Sequence, residues 1–573
     1  MAYIVKRKNR EGKYYVYLIE SFREGDKVKK RTLKAYGSLD NLEKEEAGAF
    51  ERLRKEAKLG LLPEATPRQL PVTYNLNQEI TYDDVLYGWK ILEELFQGLG
   101  IPEALQSVFG NTKKTKQYQK VLELLVYQRV LNPGSKLYTF HSQKDMFGHW
   151  NIEENTLYRS LLPLSQAKNE IQLQAHQSIT ERMGRTGTLV FYDVTNYYFE
   201  IDCNDEDAIE EESKEIRKGL RKKGPCKSKS GNPIVQLGLF MDTQGIPISY
   251  QLFSGNETDP ITYIPAIEQV KKQFGLEKII VVADKAMNSK KNITKTRENK
   301  DGWLFSQKHR GKRGAPKDIQ EFILEPSGWI YNDEMSFAAK SMFRTRKLEG
   351  NKEEVKEKVL VTWNKKYALR EKIRRDGALE YANKLTDAEL FRQTSKKGGK
   401  RYLELSYLDK ETGEIKPFSP LIQFNKEQIE FDEQFDGINV LVTSELDMSS
   451  EEMMERYAEL YKIEDCFKIT KSNIKSKPIY VRIADHIEAH FLTCFLALLL
   501  LRILQNKTNW EFSPGRLIEA LQSARANELT TGFYRVQAND ELKRILELLG
   551  LEWDKGIVRY EELNKFSKGW YTT

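Results

Sequence analysis

Apolar and polar positions alternate with a period of two in three runs at the start of the chain, AYIVKRK (2–8), KYYVYLIESFRE (13–24) and KVKKRTLKAYG (27–37). Turn-like segments at 9–12 and 24–26 separate them, so the pattern predicts a small antiparallel sheet with one basic face. A charged helix over 41–58 follows, and the Pro-containing stretch LLPEATPRQLP (61–71) marks the first domain boundary. From 81 to about 183 the period lengthens to that of a helix, with breaks at 98–102, 110–114, 132–135 and 148–155. Short helices joined by turns suit a plain bundle first and a helix-turn-helix DNA reader second.

Strand patterns return at TLVFYDVTNYY (188–198), PIVQLGLFMD (233–242) and IPISYQL (246–252), the last two joined like a hairpin. A helix over 261–274, the strand KIIVVAD (278–284), a helix from 289 and the strand GWLFS (302–306) complete a mixed sheet flanked by helices. Residues 307–435 are less regular. They combine the strand-like pieces EMSFAAKSMFRTR, EKVLVTW and KRYLELSYL with a basic helix over 367–376, and read as a β-rich insertion. The buried strand GINVLVTS (437–444) follows, and then residues 449–477 read as one long helix. On it Tyr457, Glu464 and Lys471 fall at steps of seven and share one face, while Met454, Leu460, Ile463, Phe467 and Ile474 lie mostly on another. The run SKPIYVRIADHIEAHFLTCFLALLLLRIL closes the core, and a helical tail is predicted from 514 onward. The resulting division is 1–70, 71–185, 186–306, 307–436, 437–510 and 511–573, with 186–306 and 437–510 forming one core.

Composition narrows the class. A chain of 573 residues exceeds a single core, and its 31% charged and 11% aromatic residues describe a folded, not a disordered, protein. The net charge of +7 is concentrated: residues 1–35 hold eleven Lys or Arg against four Asp or Glu, which suggests a polyanion partner. Cys203, Cys226, Cys466 and Cys494 show no short paired spacing, so neither a disulfide framework nor a zinc knuckle is expected, and a reducing cytosol fits. The start MAYIVKRKNREGKYY lacks a signal-peptide pattern. The longest apolar run, 491–501, is too short to span a bilayer and reads as a core helix, so no membrane role is expected.

Asp193 and Asp284 each end an otherwise apolar strand, where an uncompensated charge is costly. Either alone reads as a cap or turn residue. Together with Glu464 they form a set of hard oxygen donors suited to Mg²⁺ or Mn²⁺, and two such ions can activate an attacking hydroxyl and stabilise the leaving oxygen of a phosphodiester. On that reading the three carboxylates converge to metal-bridging distance. The stretch 213–230, with Arg221, Lys222 and Lys223 among eight Lys or Arg against one acid, reads equally as a phosphate contact or a solvated loop. Lys285, Lys308 and His309 follow the second aspartate and could reach DNA. His486 and His490 stand four apart without an HExxH pattern and read as packed histidines; Trp303, Trp329 and Trp363 read as core residues before base-stacking ones.

This order of parts resembles the DDE transposases of bacterial insertion sequences, in the large group (the IS four superfamily) whose third acid lies in a Tyr, Arg, Glu, Lys signature. The signature is carried by Tyr457, Glu464 and Lys471, with Leu460 where the Arg is expected and Lys462 or Lys468 as nearby charges. The segments LVFYDVTNYYFE, GIPISYQLFSGNETD, VVADKAMNS and KPIYVRIADHIEAHF extend the likeness over roughly 188–501. The resemblance implies an RNase H-like core with a β-rich insertion between the second aspartate and the glutamate, in keeping with the 180 residues from Asp284 to Glu464. It implies Asp193, Asp284 and Glu464 as catalytic metal ligands for two ions and Tyr457 and Lys471 as phosphate contacts; Lys468, Lys285, Arg221, Lys222 and Lys223 join them as candidate DNA contacts by their own charge and position. The implied reaction is metal-dependent cleavage at transposon ends, then transfer of the freed 3′-hydroxyl into target DNA. The partners would be the terminal inverted repeats, the target duplex and a second copy of the chain, in the bacterial cytoplasm and on the nucleoid. A transposase-derived DNA-binding protein without catalysis and an RNase H-fold nuclease are the alternatives.

Overall fold

The protein is described here from a computed structural model, which covers residues 2–9, 12–24, 27–45, 48–59, 84–185, 188–209, 216–225, 231–311, 315–332, 334, 336–348, 354–385, 398–406, 421–530, 532–551 and 556–571. The expected linker at 61–71 lies outside these residues. Two compact units divide at Tyr82 and Asp83.

In the first unit, β1 (Ala2–Lys8), β2 (Tyr14–Glu24) and β3 (Lys27–Ser38) form the predicted antiparallel sheet in the order β1-β2-β3. The expected single helix is two, α1 (Leu39–Glu45) and α2 (Ala49–Leu59). Strand alternation sends Ile4, Val16 and Leu18 to one face, where they bury against Leu53 and Ala57 of α2. Lys27, Lys29, Lys30 and Arg31 of β3 stay exposed.

The second unit starts with a two-residue strand, β4 (Val85–Leu86), and seven helices: α3 (Trp89–Gly98), α4 (Ile101–Phe109), α5 (Lys113–Leu131), α6 (Lys136–Ser142), α7 (Glu154–Arg159), α8 (Leu161–Gln166) and α9 (Lys168–Met183). The caps explain the breaks. Thr112 and Ser135 accept backbone N–H bonds at the starts of α5 and α6, and Gly184 ends α9 in a left-handed conformation that favours glycine.

The centre of the unit is a mixed sheet. Its strands are β5 (Leu189–Tyr198), β8 (Ile234–Met241), β9 (Pro247–Ser254), β10 (Ile280–Ala283), β11 (Gly302–Ser306), β12 (Ile330–Asn332), β13 (Phe337–Lys347), β14 (Glu354–Asn364) and β17 (Ile438–Thr443). The short ladder β6 (Ala208–Ile209) with β7 (Ile216–Arg217) lies between β5 and β8 in the chain, and β15 (Leu403–Ser406) pairs with β16 (Leu421–Phe424). Among the described residues the large sheet runs β12-β13-β14-β17-β11-β10-β5-β8-β9. β5, β8 and β9 are antiparallel, β10 is parallel to β5, and β11 is parallel to β10. Helices α10 (Asp259–Phe274), α11 (Lys290–Glu298) and α12 (Lys317–Leu324) come between these strands.

Two expectations change here. In the β-rich insertion, whose β13 and β14 join the central sheet through β17, the basic helix is longer than predicted, α13 (Lys365–Asn383), and α14 (Lys426–Glu433) follows. The C-terminal region is not all helix: α18 (Pro514–Ser523) leads into the hairpin β18 (Arg525–Thr530) and β19 (Phe533–Gln537), then α19 (Asp540–Leu548), β20 (Ile557–Arg559) and α20 (Tyr560–Leu563). Its strands close with β4 into a sheet ordered β20-β19-β18-β4, so the end of the chain returns to the helical layer near its start.

The apolar helix expected in the core is α17 (Ala484–Lys507). By length and composition it could cross a membrane, but 94% of its most apolar window is buried inside the protein. His490 is packed as predicted, with Nε2 3.0 Å from the Ser476 carbonyl oxygen.

Candidate active site

The central strands place the carboxylates by simple alternation. Val190, Tyr192 and Val194 of β5 pack into one core, so Phe191, Asp193, Thr195 and Tyr197 face the other side, where Phe191 and Tyr197 meet the layer of α17. In β10 the same rule sends Val281 and Ala283 one way and Val282 the other, which directs Asp284 to the face of Asp193. In β11 it directs Ser306 there too, beside Leu304. Phe191, Val282 and Leu304 are partners across the three parallel strands. The next residues on that face are Asp193, Asp284 and Ser306; Ser306 ends β11 and Asp284 follows β10, whereas Asp193 lies inside β5, which runs on to Tyr198, so the expectation that it ends its strand is corrected.

The helix predicted over 449–477 is in fact two, α15 (Ser450–Ala458) and α16 (Tyr461–Ser472), with a tight turn at Glu459 and Leu460. α15 lies over β10 and β11, and α16 over β5. Ser449 caps α15 by accepting from the Glu452 N–H. Leu460 packs half-buried against the main core, and the Ile463 and Glu464 N–H groups both bond its carbonyl. The turn sets Tyr457 against Ser306, with Asp284, Glu464 and Asp193 within electrostatic reach of its phenol.

Tyr457 reports the convergence. Burial pushes its phenol up to about 12, and the charges of Asp284, Glu464 and Asp193 push the same way, against a hydrogen bond shared with Ser306. Ser306 Oγ also donates to Asp284 Oδ1 at 3.3 Å. One phenol therefore stands within electrostatic reach of all three predicted acids. Asp193 is half-buried with Oδ1 accepting the Val194 N–H at 2.8 Å, while Asp284 and Glu464 are exposed. Among the described residues no three His, Cys, Asp or Glu side chains are gathered closely enough to chelate an ion as they stand. The expectation that the three carboxylates converge to metal-bridging distance is therefore not met. The donor set, three hard oxygen ligands at an open strand end, fits a divalent ion of the Mg²⁺ or Mn²⁺ type.

The other predicted residues separate into two groups. Lys471 Nζ donates to Thr195 Oγ1 at 2.5 Å, two positions along β5 from Asp193, and lies 5.4 Å from the Tyr197 ring centre. Lys468 and Lys285 are exposed near the same edge. Arg221, Lys222 and Lys223, by contrast, are ion-paired with Asp205, Asp207 and Asp202, so this part of the basic loop folds back on the acidic run after β5. Residues 213–215 and 226–230 of that loop lie outside the described residues. Lys462 reaches away to the Thr243 carbonyl and Glu459, leaving Lys468 as the charge near Glu464. Trp303 is fully buried and cannot stack on a base without unfolding the core.

Ser306, Thr195 and Asn288 were not foreseen from sequence. Asn288 Nδ2 donates to the Ser306 carbonyl at 3.1 Å and to Gln307 Oε1 at 2.9 Å, and its Oδ1 accepts from Arg346 of β13 at 2.7 Å. Only the period-two alternation of GWLFS carried any signal for Ser306, as the one polar residue at that strand's end.

Residues 210–500, just over half of the chain, match the family described as the transposase DDE domain, and residues 3–61 match the N-terminal domain of IS1634 family transposases. The larger match includes Asp284 and Glu464 and begins after Asp193. No curated protein matches the chain. Among solved structures, the piggyBac transposase synaptic complex with hairpin DNA aligns at 10% identity over 79% of this chain and 82% of that one, with a TM-score of 0.36. The Mos1 mariner paired-end complex with Mn aligns at 13% identity over 45% of this chain and 69% of that one, with a TM-score of 0.14.

Proposed function

This chain belongs to the DDE transposases of insertion sequences, and from that premise we propose that Asp193, Asp284 and Glu464 are the carboxylates that hold its divalent metal while Tyr457 and Lys471 contact the DNA strand being cut. A transposase is an enzyme acting on DNA, and DDE domains depend on divalent metal. What supports the residue assignment is that the charges of all three acids, on elements far apart in the chain, act on the Tyr457 phenol. The strands β9-β8-β5-β10-β11, with the first three antiparallel and the last two parallel, have the order we read as an RNase H-like core.

When bound, Mg²⁺ or Mn²⁺, as two ions, would supply a Lewis acid to activate the attacking hydroxyl and neutralise the leaving oxygen. The chain's own groups do the rest. Tyr457, kept protonated by burial first and by its acid neighbours second, donates its O–H to a phosphate oxygen. Lys471, steadied by Thr195, sets a positive charge two turns along the same helix face from Glu464. Ser306 orients both Asp284 and Tyr457. The exposed cations of β3 suit the N-terminal unit to DNA, the helices of 84–185 are placed as an end-binding region, and pairing of two ends calls for a homodimer. The site of action would be the bacterial cytoplasm and nucleoid.

Incubating the protein with Mg²⁺ and a duplex carrying its own element's end should nick the end and join the 3′-hydroxyl to a target duplex, and a chelator should stop both steps. Ends bound but never nicked in Mg²⁺ or Mn²⁺ would leave a DNA-binding protein without catalysis; cutting without joining would point to a nuclease.

Tyr457→Phe should slow cleavage about tenfold or more, as expected when one donor to a developing charge is lost. With the phenol raised from its ordinary value to about 12, it remains protonated across the neutral and mildly alkaline range, so the variant's pH–rate profile should keep the wild-type shape there. An alkaline limb that vanishes in the variant would contradict this role.

A further inference from the structure

The strands that deliver Asp284 also deliver a second feature to the same edge of the sheet. β11 is parallel to β10, and β14 runs the same way because each is antiparallel to β17. Their C-terminal ends therefore share one edge. Beyond β11 the chain reaches Arg310, beyond β14 it enters α13 with Arg374 and Arg375, and the residues just before β17 include Asp436. These meet η-turn residues 398–402 around a cleft of about 240 Å³ lined by Arg310, Arg374, Arg375, Arg401, Tyr402 and Glu371.

The arginines differ in what holds them. Arg310 is fixed by Glu371 and the Phe435 carbonyl, and Arg401 by Asp432 and the Tyr402 hydroxyl. Arg375, 6% exposed, spends its two terminal nitrogens on Asp436 at 2.5 Å and Glu433 at 3.2 Å, yet its Nε–H is buried with no partner. Arg374 is exposed, and among the described residues no carboxylate or hydrogen-bond acceptor engages it. Glu371 in the lining, with Asp432, Glu433 and Asp436, thus holds three of the guanidinium groups in place, leaving Arg374 as the unengaged cation of the cleft among the described residues. Rigid planar donors of this kind are suited to phosphate oxygens. The cleft has the volume of about eight waters, enough for one phosphate group with part of its hydration and too little for a base pair.

We propose that this arginine cleft binds one backbone phosphate of the DNA held at the active site, acting as an anchor for the strand along the sheet edge that bears Asp284. The inference rests on the transposase reading above, since it takes DNA as the occupant. A free phosphate or a mononucleotide offers the same chemistry, so the test must separate these sources.

The experiment uses the full chain with Arg374→Ala, Arg374→Glu and Arg374→Lys, chosen because Arg374 supports no ion pair in the fold, and equal Tm values would verify intact folding. Binding to a duplex carrying the element's end is measured across a salt series. Arg374→Ala should bind about tenfold more weakly at low salt and flatten the slope of log Kobs against log salt by about 0.9, the amount for one phosphate, with Arg374→Glu weaker still and Arg374→Lys near wild type. In parallel, inorganic phosphate and AMP are titrated while following Tm, and neither should shift it. The cleft proposal is overturned if Arg374→Ala and Arg374→Glu bind DNA with wild-type affinity and slope. It is equally overturned if phosphate or AMP raises the Tm of wild type but not of Arg374→Ala while DNA binding is unchanged, which would make the cleft a small-anion site. Wild-type protein that binds and nicks DNA while the variants match it removes the cleft alone; wild-type protein that binds no DNA removes the transposase reading as well.

Discussion

Replacing Glu464 by Gln, or Asp193 or Asp284 by Asn, is expected to abolish cleavage and joining at transposon ends by a factor of about a thousand or more, with binding of the same DNA nearly unchanged. The amide is nearly isosteric with the carboxylate, so no cavity opens; what is lost is a hard anionic ligand. The structure also predicts the direction of two side effects. Each substitution removes one negative charge from a ring of three that faces the Tyr457 phenol, so its pKa should fall from about 12 toward its ordinary value, and thermal stability should stay level or rise as like-charge repulsion is relieved. Titrating Mn²⁺ calorimetrically into wild type and variants gives a readout independent of turnover: the variants should bind it more weakly. A variant that still cuts DNA at a wild-type rate would remove its residue from the metal set. A variant that fails to cut because its Tm has collapsed would mark the carboxylate as structural.

How far this site could be read in the sequence depends on which force places each residue. Asp193 and Asp284 were singled out because a buried strand leaves little reason for a carboxylate, and the two-residue period fixes the side to which each points, although Asp193 lies inside β5 and not at its end. Glu464 was legible through its seven-residue spacing from Tyr457 and Lys471, although the helix supposed to carry all three is broken at Leu460. Neither Gly nor Pro marks that break. It arises where one helical segment packs over β10 and β11 and the next over β5, and tertiary packing of this kind leaves no local signature. Leu460 then has a physical role of its own: it seats the turn in the core, at the position where the family signature carries Arg. Arg221, Lys222 and Lys223 show the opposite failure. A run of cations counted along the chain looks like a DNA contact, but pairing with Asp202, Asp205 and Asp207 is a long-range fact that composition does not contain. The hairpin of the insertion joins the central sheet, because the edge of β17 offers backbone groups that β14 satisfies.

That junction carries the second large effect. Glu357 of β14 has 0% exposure and sits between two arginines of β13: Arg344 reaches its Oε2 at 2.7 Å and Arg346 its Oε1 at 3.3 Å. Arg346 in turn donates to Asn288, which grips the Ser306 carbonyl and Gln307 next to Asp284. Removing the carboxylate leaves two partly or fully desolvated guanidinium groups without their shared anion, a loss of about 3–5 kcal/mol by analogy with other broken buried ion pairs. Glu357→Gln should therefore lower Tm by several degrees. If Arg346 also swings toward solvent, Asn288 loses its partner and the loop after Asp284 loosens, so cleavage should fall while DNA binding persists. Arg346→Met separates the two consequences. It keeps the aliphatic stem and leaves Glu357 paired with Arg344, so its stability cost should be the smaller, whereas its loss of cleavage should approach that of Glu357→Gln. Equal cleavage by Arg346→Met and wild type would confine the cluster to a structural role; a large loss of activity at nearly native Tm would make the insertion hairpin a positioning element for the second aspartate.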